Sequence, residues 1–184
     1  MSTNIKTDRL LLLPVTQDDA VRINELCNNK NVAAMTCRIS YPCSLEETKQ
    51  WIDTQAKASA EGLQANFAVT IEEPKVLIGV IGLEIEKQHR HAELGYWIGE
   101  DYWNQGYASE AVKAFIEYGF TQLELRRIYA YCMKENTASI RVLQKNGMQY
   151  EGCLREHIKK DGVFKDLNCY SILYDDLCAK VDRL

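Results

Sequence analysis

Gly106, Tyr107, Ala108 and Ser109 open the stretch "GYASEAVKAFIEYGF", which reads as a helix entered through a glycine turn. Such a helix mouth binds anions. Its first backbone N–H groups lack intrahelical partners, and the macrodipole adds partial positive charge there. Gly106 lets the backbone come close to a phosphate, Ala108 and Ser109 leave the first turn unobstructed, and the Ser109 hydroxyl adds a donor. Taken alone, the turn stands equally well as an ordinary strand-to-helix connection with glycine present for its φ angle. It is neither a P-loop nor a dinucleotide fingerprint, since GxxxxGK[ST] and GxGxxG are both missing.

Other chemistry finds less support. Seven cysteines stand at positions 27, 37, 43, 132, 153, 169 and 178 without a CxxC pair, most in apolar surroundings, so reduced and mostly buried thiols are expected. His89 and His91 in "KQHRHAE" read as solvated turn residues between two strands, and no metal site is expected. A net charge of -4 argues against an electrostatic grip on nucleic acid, which usually needs a basic face. No amino-terminal apolar region and no apolar run near the roughly 18 residues of a membrane span are present, so a cytoplasmic protein with no membrane partner is expected.

The elements that must position the Gly106 turn follow from the pattern. With 184 residues, 46% of them hydrophobic, the chain suits one core, and a single domain over 1–184 is expected. "RLLLLPV" (9–15) reads as a buried strand and residues 16–28 as a helix. Residues 43–62 read as a second helix, opened by a Ser44 to Glu47 capping box and stopped at Gly62. Strands over 65–72, 76–86 and 92–100 lead to the helix after Gly106, where Ala108, Ala111, Val112, Phe115, Ile116, Gly119, Phe120 and Leu123 form one apolar stripe. A strand over 126–133, a short helix over 136–147 and a hairpin turning at Asp161-Gly162 complete the order. The fold class is α/β in the α+β sense: a mixed, mostly antiparallel sheet flanked by helices, with a C-terminal β-hairpin.

"GYW", a polar strand end, "NQGYASEA", a strand and then "NxxSxxVLxKNGM" occur in that order. This arrangement resembles the Gcn5-related N-acetyltransferase (GNAT) family, and within it the RimJ/RimL type that acetylates protein amino termini. The likeness runs from Arg9 to about Tyr174. One departure is Trp103, which stands where the usual Q/R-x-x-G-x-G/A signature has Gln or Arg; phosphate contacts would then rest on the amides from Gln105 through Ser109.

The resemblance implies acetyl-coenzyme A as cosubstrate and an amine-bearing acceptor, foremost a protein amino terminus, with a homodimer as one assembly seen among relatives. It implies that Trp97, Ile98 and Gly99 lie where a splayed strand pairs with the pantetheine arm, and that Asn104, Gln105, Gly106, Tyr107, Ala108 and Ser109 cradle the pyrophosphate. An amide near Ile98 would polarise the thioester carbonyl. The side chains of Tyr96 and Trp97 read more readily as core aromatics. Asn136 would bind the pantetheine, cap its helix, or both. Ser139 stands where RimL-type relatives have a serine acting on the coenzyme sulfur, and Leu143 replaces the tyrosine of other relatives. Their usual glutamate falls on Ile158, so the base is open between Glu93 and Glu156, with Glu84 behind them. Glu156 shares strand parity with Ile158, whereas His157 would face away, opposite Asp166. Polyamine, aminoglycoside or amino-acid acceptors, and a non-catalytic coenzyme-A-binding module, remain alternatives.

Overall fold

The computed structural model describes residues 4–181, with side chains through residue 177. Cys178 therefore lies outside the described side chains, while the six other cysteines are free thiols. One 8-stranded sheet organises the chain in the order β1-β2-β3-β4-β5-β6-β8-β7. The strands are β1 (Ile5–Lys6), β2 (Leu10–Pro14), β3 (Gln64–Ile71), β4 (Val76–Glu86), β5 (His91–Ile98), β6 (Arg127–Met133), β7 (Gln149–Lys160) and β8 (Val163–Leu173). All neighbours run antiparallel except β5 and β6, which are parallel.

Helices cover both faces. On one side lie α1 (Ala20–Cys27) and α3 (Leu45–Ala60), whose Ile23, Leu26 and Ile52 pack against Ala68, Leu77 and Val80 of β3 and β4. The Ser44 capping box forms as the sequence implies: the Ser44 hydroxyl accepts from the Glu47 amide at 3.2 Å, and the Glu47 carboxylate accepts from the Ser44 amide at 2.7 Å. On the other side lies α4 (Tyr107–Thr121), with Ala111, Val112, Phe115, Ile116, Gly119 and Phe120 buried. They meet Leu94, Ile128 and Ile172 of three different strands, so this one stripe knits the sheet's middle together. Next to it is α5 (Thr137–Lys145).

β5 and β6 separate soon after they meet. Their pairing holds for His91↔Arg127, Ala92↔Ile128 and Glu93↔Tyr129, while β5 continues to Ile98. The Gly99 amide donates to the Ile78 carbonyl of β4 at 2.8 Å. Strand alternation therefore turns the amides of Tyr96 and Ile98 the other way, into the gap. The Trp103 indole N–H donates to the Ile98 carbonyl at 2.6 Å, satisfying an edge acceptor that β6 does not reach.

At the far end, Asp161 (φ 49) and Gly162 (φ 82) form the two-residue turn with Lys160 opposite Val163. The alternation assumed for this strand breaks further along. Leu154 pairs with Leu167 and Ile158 with Lys165, so Arg155, Glu156 and His157 together oppose Asp166 alone. Glu156 takes a positive φ of 49, and its amide donates to the Asp166 carboxylate at 2.9 Å. A bulge of this kind resets which face each side chain meets. Three elements lay outside the expected order: β1, the short α2 (Lys30–Ala34) and α6 (Tyr174–Val181). Asn29 caps α2 by accepting from the amides of Asn31 and Val32 at 2.8 and 3.2 Å.

Candidate active site

A groove of about 1170 Å³ runs from the start of α4, through the gap between β5 and β6, to the loop between α2 and α3. Of the residues expected to hold a cosubstrate, Trp97, Ile98, Asn104, Gly106, Tyr107, Ala108, Ser109 and Asn136 line it. Gly99 and Gln105 are not part of its lining. The Gly99 amide is spent on β4, and the Gln105 carbonyl turns outward to accept from Arg9 at 3.1 Å.

The turn at the α4 end of the groove is held from outside. Asn104 (φ 60) and Gly106 (φ 83) both take the left-handed conformation, which swings the chain sharply into α4. Arg9 braces this corner. Its guanidinium bonds Glu110 of the first helical turn at 2.7 Å and lies over the Tyr107 ring, 4.6 Å from the centroid. Asn146, at the end of α5, donates to the Ser109 carbonyl and hydroxyl oxygens at 3.2 and 3.3 Å. Ser109 Oγ thus acts as acceptor inward, and its own hydrogen remains available to the groove.

Midway along the groove stands a hydroxyl pair. Tyr96 and Ser139 are 2.9 Å apart, oxygen to oxygen, and Tyr96 also reaches the Ser139 carbonyl at 3.4 Å. Burial pushes the Tyr96 phenol well above its ordinary value, with the Ser139 hydrogen bond opposing, so it keeps its proton at neutral pH. Tyr96 does pack against the core, as its sequence surroundings imply, but its hydroxyl points at Ser139. Asn136 caps α5: its carbonyl accepts from the Ser139 amide at 3.0 Å, and its amide donates to the Met35 carbonyl at 2.9 Å. Both ends of this side chain are occupied by the protein, so the capping role is the one the geometry displays.

The other end of the groove holds Glu93, Glu84, Arg38 and His157. Arg38 bonds Glu84 at 2.8 Å and Glu93 at 3.1 Å, tying a carboxylate pair that sits directly across β4 and β5. Burial raises the Glu93 carboxyl above its ordinary range, Arg38 and His157 pull it down, and Glu84 adds to the rise. The bulge in β7 exchanges the expected places of two neighbours. His157 lines the groove, with its ring 5.8 Å from that of Tyr131, while Glu156 is exposed and outside the lining. Arg38 gives no signal in sequence, because it lies in an irregular loop whose path is set by contacts with β7, including Lys160 to the Ile39 carbonyl.

An open, mostly antiparallel sheet split at one parallel pair, with a helix N-terminus at one end of the split and a carboxylate at the other, defines a class of acyl-transfer scaffold. The chain belongs to the acetyltransferase (GNAT) domain family, whose model matches residues 9–149. It is 36% identical over 170 residues to the uncharacterized N-acetyltransferase YoaA of Bacillus subtilis, covering 92% of this chain and 96% of that protein. It is 29% identical over 181 residues to the ribosomal-protein-serine acetyltransferase of Escherichia coli, covering 95% and 99%. Among solved structures, the spermidine N-acetyltransferase of Vibrio cholerae in complex with CoA and spermine superimposes with a TM-score of 0.83 at 26% identity, over 94% of this chain and 99% of that one.

Proposed function

We propose that the protein transfers an acetyl group from acetyl-coenzyme A to the amino-terminal amine of a protein. The observation that carries the choice of acceptor is Arg38, which already occupies both Glu84 and Glu93 in an open groove. A polyamine site gains its affinity from unpaired carboxylates, and here the pair is neutralised in part before any substrate arrives. The likeness to the ribosomal-protein-serine acetyltransferase supports this acceptor. The likeness to the spermidine enzyme keeps a polyamine as the competing reading.

The residues present fit the cosubstrate. The gap edge of β5 offers the Tyr96 and Ile98 amides, and the Gly106 turn offers a helix N-terminus. Acetyl-coenzyme A supplies an acyl carbon attached to a good leaving thiolate. The chain's groups do the rest. Glu93 takes a proton from the acceptor amine as the new C–N bond forms. The Ile98 amide, turned into the gap, would donate to the thioester carbonyl oxygen, where negative charge develops. As the C–S bond breaks, the Ser139 hydroxyl donates a hydrogen bond to the departing sulfur and accepts one from the Tyr96 phenol 2.9 Å behind it, and the released thiolate takes its proton from solvent. A cytoplasmic setting, where acetyl-coenzyme A and new amino termini meet, goes with this reading.

Initial rates of thiol release from acetyl-coenzyme A, with an amino-terminal peptide and with spermidine as rival acceptors, test the proposal. A higher kcat/KM for the peptide supports it, and turnover with spermidine alone refutes it.

A further inference from the structure

From the groove outward, four aromatic contacts link five rings in one continuous row on the sheet. His157 meets Tyr131 at 5.8 Å, Tyr131 meets Tyr129 at 5.5 Å, Tyr129 meets His91 at 5.6 Å, and His91 stacks on His89 at 5.8 Å. The alternate β6 residues Ile128, Ala130 and Cys132 are buried in the α4 core, so Arg127, Tyr129 and Tyr131 point out of the opposite face. Tyr129 and Tyr131 are half-buried, and His89 and His157 are exposed. The row begins inside the candidate site, where His157 and Tyr131 line the groove, and it passes Glu93, whose β6 partner is Tyr129.

Resting on the protein-acceptor reading above, we infer that this row is the docking track for the polypeptide that follows the acceptor's amino-terminal residue. Side chains on one face of β6 repeat at roughly 7 Å, the interval at which an extended chain presents its own side chains to one side. From Tyr131 to Arg127 the track spans roughly 13 Å, room for about four acceptor residues. The charges beside the track are paired, Glu93 with Arg38 and Arg127 with Glu151. Arg127 lies 5.6 Å from the Tyr129 ring and is held by both oxygens of Glu151, which also accepts from Ser171 at 2.7 Å. The row thus offers flat apolar faces and paired charges, suited to an uncharged or aromatic extended segment.

The test compares kcat/KM for a peptide of about five residues with that for the single-residue amide of the same amino-terminal residue, in the parent protein, Tyr129→Ala and Tyr129→Phe. The parent should favour the longer acceptor by about tenfold or more, Tyr129→Ala should lose most of that preference, and Tyr129→Phe should keep it because the ring face is retained. Melting curves establish that both variants are folded. A length preference that survives Tyr129→Ala overturns the track while leaving the protein acceptor standing. Acetylation of spermidine with neither peptide nor amide overturns the protein acceptor itself, and the track with it. A change of oligomeric state in Tyr129→Ala, seen by light scattering without loss of the length preference, assigns the face to contact between copies of the chain and also overturns the track.

Discussion

At the scale of single residues, Glu93 is assigned to proton transfer and the Tyr96–Ser139 pair to hydrogen-bonding the departing sulfur, and their environments make each assignment testable. Glu93 acts only when ionised, so activity should appear as pH rises through its pKa, above the ordinary carboxylate range because burial raises it. Arg38 opposes that rise. Arg38→Gln should therefore move the acidic limb of the kcat/KM profile to higher pH, and Glu93→Gln should abolish the limb along with most turnover; a limb unmoved in both variants would remove Glu93 from the mechanism. Ser139→Ala should lower turnover by roughly tenfold to a thousandfold with little change in coenzyme A affinity, the pattern of an interaction made mainly in the transition state. Tyr96→Phe should show a loss of the same kind, read by steady-state kinetics. That Ser139 and Glu93 line one groove was legible from motif and strand position. The Tyr96 hydroxyl was not, since an apolar neighbourhood fixes where a ring is buried but leaves open what its hydroxyl meets.

At the scale of elements, the Gly106 turn and the β7 bulge show what sequence pattern can and cannot carry. The turn is legible because a glycine ahead of a long apolar stripe has a local cause: φ 83 at Gly106 is a conformation L side chains rarely adopt. A Cβ there would meet Arg9 only at 3.4 Å, an ordinary contact, so the cost of Gly106→Val is backbone strain that shifts the amides of the first turn. Calorimetric titration should show weakened coenzyme A binding by the folded variant, and unchanged affinity would detach the turn from the phosphates. Glu156 illustrates the opposite case. Counting by twos from Ile158 put it in the groove, but three residues facing Asp166 alone send His157 there instead. Nothing in "LREHIKK" marks that bulge, because it is fixed across strands by the Asp166 carboxylate accepting from the Glu156 amide. The short α2 was equally hidden: with five residues, it depends on its Asn29 cap and on burial of Val32 and Ala33 more than on any periodic stripe.

At the scale of the whole molecule, the order of strands and helices was legible because each long element carries its own period. The splay of β5 from β6 was implied only by the resemblance, and the Arg38 loop by nothing in the sequence, since both are products of contacts between distant segments. One such contact sets an acid limit on stability. Arg127 holds the Glu151 carboxyl down to about 2, with Ser171 assisting, burial opposing. A depressed carboxyl stabilises the fold fully above its unfolded pKa, and that contribution is lost as pH falls from there toward about 2. The pair is partly exposed, so the effect is on the order of 1 kcal/mol after solvent screening. Urea midpoints at neutral pH and near about pH 3 should differ less in Glu151→Gln than in the parent, and an equal difference would show that the pair adds nothing. The central claim, acetyl transfer to an amino-terminal amine at the β5–β6 gap, is tested most directly by locating the transferred group. The protein is incubated with isotopically labelled acetyl-coenzyme A and a peptide carrying a free amino terminus and an internal lysine, and the product is fragmented in a mass spectrometer. Label is expected on the α-amine; label confined to the lysine side chain, or none at all, would contradict acetyl transfer to the amino terminus.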